Sequence, residues 1–274
     1  GPNMLCFFDR NMQSIVAARS AMERDLHDAV FREHFILHYQ AQVDEAGTVI
    51  GAEALVRWQH SERGMVPPAE FIPLAEGNGL ILPLGHWVLK TACHQLAAWA
   101  EQPDMAHLTL AVNVSAKQFM LPSFVAEVLE LLAHTGANPH RLKLELTESV
   151  LVHDVEDMIL KMTALKAEGV GFSLDDFGTG FSSLSYLNRL PLDQLKIDRS
   201  FVPNVAADNN NSAIAKMIVA LADSMSLAVI AEGVETEAQW HMLKAAGCYE
   251  AQGYLFGRPS STPMPLGPSL VSVS

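Results

Sequence analysis

The sequence predicts an α/β fold, a TIM-like (β/α)8 barrel whose first strand runs antiparallel to the rest. Three observations predict it. Two apolar runs, residues 35–43 and 48–58, are separated only by Asp44-Glu45-Ala46-Gly47, which is too short for a parallel crossover, so they pair antiparallel. From Pro67-Pro68 onward, strand-like and helix-like stretches alternate with short connections. Polar residues then interrupt these apolar strands near their C-terminal ends, where the parallel strands of a barrel share one mouth. An open doubly wound sheet is the competing architecture, and the count of eight strands favours the barrel.

The elements follow from local pattern. Met12, Ile15, Val16, Ala18, Met22, Leu26, Ala29 and Val30 recur at helical spacing among charges, so an amphipathic helix over about 12–34 leads into the domain. Helices follow at about 69–76 and 84–101, then a strand at 108–114 and a helix at 123–134. The strand at 142–147 precedes a helix from Asp154 to Glu168 that Gly169 stops. An apolar strand runs into Asp175-Asp176, and another covers 192–197. A helix at 211–224, a strand at 228–232, a helix at 236–246 and a strand at 252–256 complete the alternation. Pro259, Pro263, Pro265 and Pro268 predict an irregular tail over 261–274. Gly1-Pro2 resembles the remnant of a cleaved tag, so residues 1–27 divide into that scar and a linker helix.

With 274 residues, 49% of them hydrophobic, the chain can bury one large core. A net charge of -13 argues against nonspecific binding to a nucleic-acid duplex or an anionic membrane. It does not exclude a phosphate substrate, because bound divalent cations would make a site locally positive. Cys6, Cys93 and Cys248 show no paired spacing, so neither a disulfide framework nor a zinc knuckle is expected, and a reducing cytoplasm is the default. No apolar run has the ~18 residues that span a bilayer. The eleven histidines show no metal-binding spacing.

The polar interruptions are Glu53, Asn113, Glu145, Asp175, Asp176, Lys196, Glu232 and Gln252. Burying five carboxylates without partners would cost several kcal/mol each, which favours a shared cation site. Carboxylates with one Asn amide oxygen are hard ligands suited to magnesium, manganese or calcium. Five are more than one cation needs, which points to two metals about 3.5–4 Å apart with a shared aspartate, the arrangement that activates water for phosphoester hydrolysis. Lys196 either hydrogen-bonds the attacking water and screens developing charge, or forms a structural salt bridge with a neighbouring carboxylate.

These residues carry a resemblance. Glu53-Ala54-Leu55 in EALVRW, Asn113 in NVS, Glu145 and Glu148 in ELTES, DDFGTGFSSL from Asp175, LKID around Lys196, EGVE from Glu232 and QGYLF from Gln252 stand in the order of the EAL domain family. The chain resembles a cyclic di-GMP phosphodiesterase over residues 28–260. The resemblance implies a metal held by Glu53, Asn113, Glu145 and Asp175, with Asp175 bridging to a second held also by Asp176 and Glu232. It implies that Lys196 contacts the nucleophilic water and that the product is linear pGpG. Glu148 would anchor the loop from Phe177 to Leu184, which in the family takes part in dimer contacts and regulation, while Glu235 supports the metal shell and Gln252 the site floor. Gln40, Leu55 and Arg57 would face the nucleotide, Arg57 touching phosphate. Ala41 departs from the family's frequent proline, with a small change of stiffness expected.

The cofactors so implied are two Mg2+ or Mn2+ ions, with Ca2+ binding without turnover. Residues 7–30 resemble the junction after a GGDEF domain, so upstream GGDEF or sensor domains, a homodimer and a cytoplasmic location, as part of a membrane-anchored sensor or not, are expected. A receptor that binds cyclic di-GMP without cutting it is the alternative, but such members usually lose metal ligands or the loop anchor, and every position here is filled. A barrel glycosidase fits poorly, since glycoside hydrolysis uses two carboxyls and no metal pair.

Overall fold

The computed structural model describes residues 10–32, 34–148, 150, 154–178, 187–202 and 209–262, with side chains from 18 onward and not those of 209–212. Cys6, most of the Phe177–Leu184 loop and most of the tail lie outside these residues. The described chain forms two compact units: a smaller one, up to Ile36 with Val56–Leu84, and a larger one, Leu37–Leu55 with Gly85 onward.

The larger unit contains the barrel. Its strands are β1 (Phe35–Val43, from Leu37), β2 (Val49–His60, to Leu55), β4 (Thr109–Val114), β5 (Leu142–Thr147), β6 (Gly171–Phe177), β7 (Gln194–Ile197), β8 (Ala228–Ala231) and β9 (Glu250–Gln252); β3 (Gly64–Val66) belongs to the smaller unit. They pair in the order β1-β9-β8-β7-β6-β5-β4-β2, and pairing of β1 with β2 closes the ring. β1 is antiparallel to β9, whereas β2, β4 and every later neighbour are parallel, as the hairpin argument requires. Asp44 fixes the hairpin by accepting the Ala46 and Thr48 amides at 2.9 and 2.8 Å, and Gly47 takes φ 81°.

Polar side chains cap several of the helices. Three helices span α3 (Ile81–Ala100), α4 (Ala116–Phe119) and α5 (Phe124–Thr135), and Gly136 stops the last at φ 71°. Asp154 caps α6 (Val155–Ala167) by accepting two backbone amides. The next is α7 (Asn209–Ser224), and Thr236 with Gln239 forms a capping box for α8 (Glu237–Ala245). The core lies between helices and barrel, where Phe119, Phe124, Phe172, Leu144 and Leu195 are wholly buried. Burial pushes the Cys93 and Cys248 thiols up to about 11 and about 12, which leaves both as unreactive core residues.

The last strand differs from the sequence expectation: it is Glu250–Gln252, not 252–256. The aromatic run after it turns instead. A Cβ on Gly253 would overlap the Val234 backbone, and the Leu255 amide bonds the Val234 carbonyl at 3.0 Å, so glycine permits a backbone contact that ends the strand. Gly253→Ala is expected to destabilise the barrel by about 2 kcal/mol or more through that overlap. Urea unfolding checks this, and an unchanged midpoint would contradict it.

The smaller unit contains α1 (Arg10–Phe31), α2 (Pro68–Asn78), the end of β2 and the short β3 (Gly64–Val66), which pairs antiparallel with it. Phe35, Trp58 and Phe71 form an aromatic cluster with centroids 5.7–6.1 Å apart. His60 Nδ1 accepts the Glu62 and Arg63 amides, which leaves Nε2 to donate to Asp25 of α1 at 3.2 Å.

Candidate active site

Parallel register brings the polar interruptions to one end of the barrel. Asn113 pairs with Glu145 across β4 and β5, and Thr147 with Asp175 across β5 and β6. The convergence is on Lys196 of β7, which is 0% exposed. Its Nζ donates to Glu145 Oε2 at 2.7 Å, closely contacts Glu232, and lies 3.6 Å from both Glu53 Oε2 and Asp175 Oδ2. Burial alone would lower the lysine's proton affinity, but Glu145, Glu53, Glu232 and Asp175 together hold it well above its usual value. The ammonium is therefore fixed as a cation.

One positive charge does not satisfy four carboxylates. Glu145 is pushed well above the usual range by burial and by Glu53, Asp175 and Glu232, with Lys196 opposing. Burial and repulsion raise Glu232 to about 7. Glu53 goes the other way: burial is outweighed by Lys196 and by hydrogen bonds from Gln252 and Asn113. Gln252 Nε2 donates to Glu53 Oε2 at 2.5 Å and to Gln40 Oε1 at 3.1 Å, and Asn113 Nδ2 donates to Glu53 Oε1 at 2.5 Å.

Asp175 and Asp176 lie at a β-bulge between Leu174 and Phe177. Asp176 sits at φ 55°, a left-handed conformation that Asp tolerates better than most residues, and its amide donates to Asp175 Oδ1 at 2.8 Å. Burial, then Asp175 and Asp198, raises the Asp176 carboxyl. Buried Glu148 accepts the Gly178 amide at 2.6 Å and so holds the start of the loop that follows.

An open cleft of about 650 Å3 lies over this cluster, lined in part by Gln40, Glu53, Leu55, Asp175, Glu232, Glu235 and Gln252. Arg57 belongs to the smaller unit, where Nη1 donates to the Val56 carbonyl at 2.9 Å. Sequence reasoning missed Gln42, which is buried and donates to Gln252 Oε1 at 3.1 Å; its position two residues after Gln40, on the same face of β1, was the signal. It also missed Arg199, Ser200 and Tyr254, which line the cleft from turns beyond β7 and β9.

Among the described residues, no group of three or more His, Cys, Asp and Glu is arranged to hold a metal ion. The acids instead close on the cation the chain supplies, Lys196. The donor chemistry nonetheless fits hard divalent cations: carboxylates predominate, Glu145 Oε1 is buried with no hydrogen-bond partner, and the raised carboxyls mark negative charge in excess of the lysine.

Residues 23–259 match the EAL domain family. The bifunctional diguanylate cyclase/cyclic di-GMP phosphodiesterase MucR of Pseudomonas aeruginosa is 43% identical over 275 residues, covering 100% of this chain and 39% of that protein. Cyclic di-GMP phosphodiesterase NbdA of the same organism is 42% identical, covering 94% and 33%. This chain thus spans two fifths or less of these relatives' length. The solved MucR phosphodiesterase in complex with c-di-GMP superposes with a TM-score of 0.84 at 45% identity, covering 88% of this chain and 97% of that one. The family match over most of the chain and the barrel built around Glu53-Ala54-Leu55 make this protein a member of the EAL domain family.

Proposed function

We propose that this domain is a metal-dependent phosphodiesterase that hydrolyses cyclic di-GMP to linear pGpG. The observation that carries the reading is the convergence of Glu53, Glu145, Asp175 and Glu232 on buried Lys196 beneath an open cleft. The activities named for MucR and NbdA support it. In this reading Glu53, Asn113, Glu145 and Asp175 would hold one divalent cation, and Asp175, Asp176 and Glu232 would hold a second. Such a pair would activate water and neutralise charge developing on phosphorus.

The remaining work falls to the chain. Lys196, fixed as a cation, presents Nζ protons that orient the attacking water. Gln252 and Asn113 hold Glu53 ionised and oriented through their hydrogen bonds. Gln40 and Leu55 contribute the nucleotide-facing wall. Water adds to one phosphorus, the P–O3′ bond breaks, and the released alkoxide takes a proton, which leaves a 5′-phosphate on pGpG. Glu148 orders the loop beyond Gly178, so Glu148→Ala is expected to lower turnover about 10-fold or more while shifting the melting temperature by only a few degrees. A large thermal shift with full activity would contradict that role.

We also propose that the chain is the C-terminal catalytic part of a longer cytoplasmic sensor, and that it works as a homodimer. Partial coverage of MucR supports the first point. Calorimetry with Ca2+ tests the catalytic reading: intact cyclic di-GMP is expected to bind, and replacement of Ca2+ by Mg2+ or Mn2+ is expected to start cleavage. Binding indifferent to divalent ions and never followed by cleavage would make the domain a receptor.

A further inference from the structure

The cleft is walled by carboxylates, yet the substrate proposed for it carries two phosphodiesters, of which one is cut at a time. The lysine at the barrel end is buried beneath the cleft, in contact with Glu145 and Glu232, and does not line it. Among the described lining residues one cation remains, Arg199.

Arg199 opens the short 3₁₀ turn Arg199–Phe201 directly after β7, and Asp198 fixes that turn by accepting the Ser200 amide at 2.9 Å. From the other side, Gly233 takes φ 65°, and a Cβ there would lie 2.5 Å from Arg199 Cβ. The stem of Arg199 is thus held between its own turn and the backbone that follows Glu232. The side chain is exposed and has no ion pair or hydrogen bond to a described residue. In a chain of net charge -13, with Glu232 and Glu235 in the same wall, an arginine held at its stem and left unpaired at its head is placed for an anion from outside.

We propose that Arg199 binds the phosphodiester that is not being cleaved, and so sets the affinity for the cyclic dinucleotide and its orientation over the acids. This rests on the function proposed above. A planar guanidinium can pair two phosphate oxygens at once, which suits a phosphodiester whose position must be fixed while its twin reacts.

The test is steady-state hydrolysis of cyclic di-GMP by the wild-type chain, R199A, R199K and R199E in Mg2+ at several salt concentrations, with circular dichroism melts as a folding control. R199A is expected to raise KM about 10-fold or more, the loss typical of a charge-assisted hydrogen bond, with kcat within about twofold. R199K should recover part of the affinity and R199E should lose more. KM should depend on salt less steeply in R199A, because one charge contact is gone. Wild-type turnover with an unchanged KM in R199A and R199E would overturn the assignment while leaving the phosphodiesterase intact. So would a fall in kcat at constant KM, or a raised KM with unaltered salt dependence, which would mean a contact to a base. A wild-type chain that neither binds nor cleaves cyclic di-GMP would overturn the parent reading and this one with it.

Discussion

Lys196→Met should destabilise the metal-free domain by about 3–5 kcal/mol at neutral pH, the loss expected when one partner of a buried charge cluster is removed. Lys196 is 0% exposed, and Glu145, Glu232, Glu53 and Asp175 all face its ammonium. Methionine keeps much of the volume but leaves the carboxylates to repel one another in low dielectric. The pH dependence has a definite sign. Glu145 and Glu232 already sit above their ordinary values, chiefly through burial, and losing the lysine raises them further. A carboxyl raised in the folded state contributes stability that is present below its unfolded value and is lost as pH rises through the folded one. The deficit should therefore grow as pH rises toward and beyond about 7, where Glu232 titrates, and shrink in mild acid. Urea titrations with a chelator, from pH 5 to 8, read this directly. A small, pH-independent loss would mean that Lys196 is not the electrostatic centre of the barrel end.

Asp175→Asn is expected to reduce turnover about 10³-fold while changing stability by about 1 kcal/mol or less. Asparagine can keep the acceptor used by the Asp176 amide, so the bulge survives. The substitution removes one of four carboxylates around Lys196, which relieves repulsion on Glu145 and Glu232 and offsets part of the lost ion pair. What it takes away is the charge assigned to both cations. Single-turnover rates at saturating Mg2+ beside thermal melts separate the two effects. Near-normal turnover would remove Asp175 from the bridging role.

The hairpin, the alternation and the acids at strand ends were legible because each follows from local pattern and connection length. Glu53, Glu145, Asp175 and Glu232 come together because parallel register aligns strand ends, a consequence of topology that any barrel carries. Whether Lys196 is a salt-bridge partner or a water ligand stayed open in the sequence, since its solvent exposure and its distance to four acids are three-dimensional facts. The end of the barrel was misread because Gln252–Phe256 has the composition of a strand, whereas the outcome is decided by Val234, distant in sequence, whose backbone contact only Gly253 admits. Arg199 was missed for a similar reason: a surface arginine on a turn carries no pattern, and its place in the cleft depends on a glycine after a different strand.

The most direct test of the proposed chemistry is chromatography of cyclic di-GMP incubated with the purified chain in Mg2+ or Mn2+, in chelator, and with the Asp175→Asn protein. Linear pGpG should accumulate with either metal and be absent in the other two cases. Cleavage that continues in chelator, or intact dinucleotide under every condition, would contradict a metal-dependent phosphodiesterase at this site.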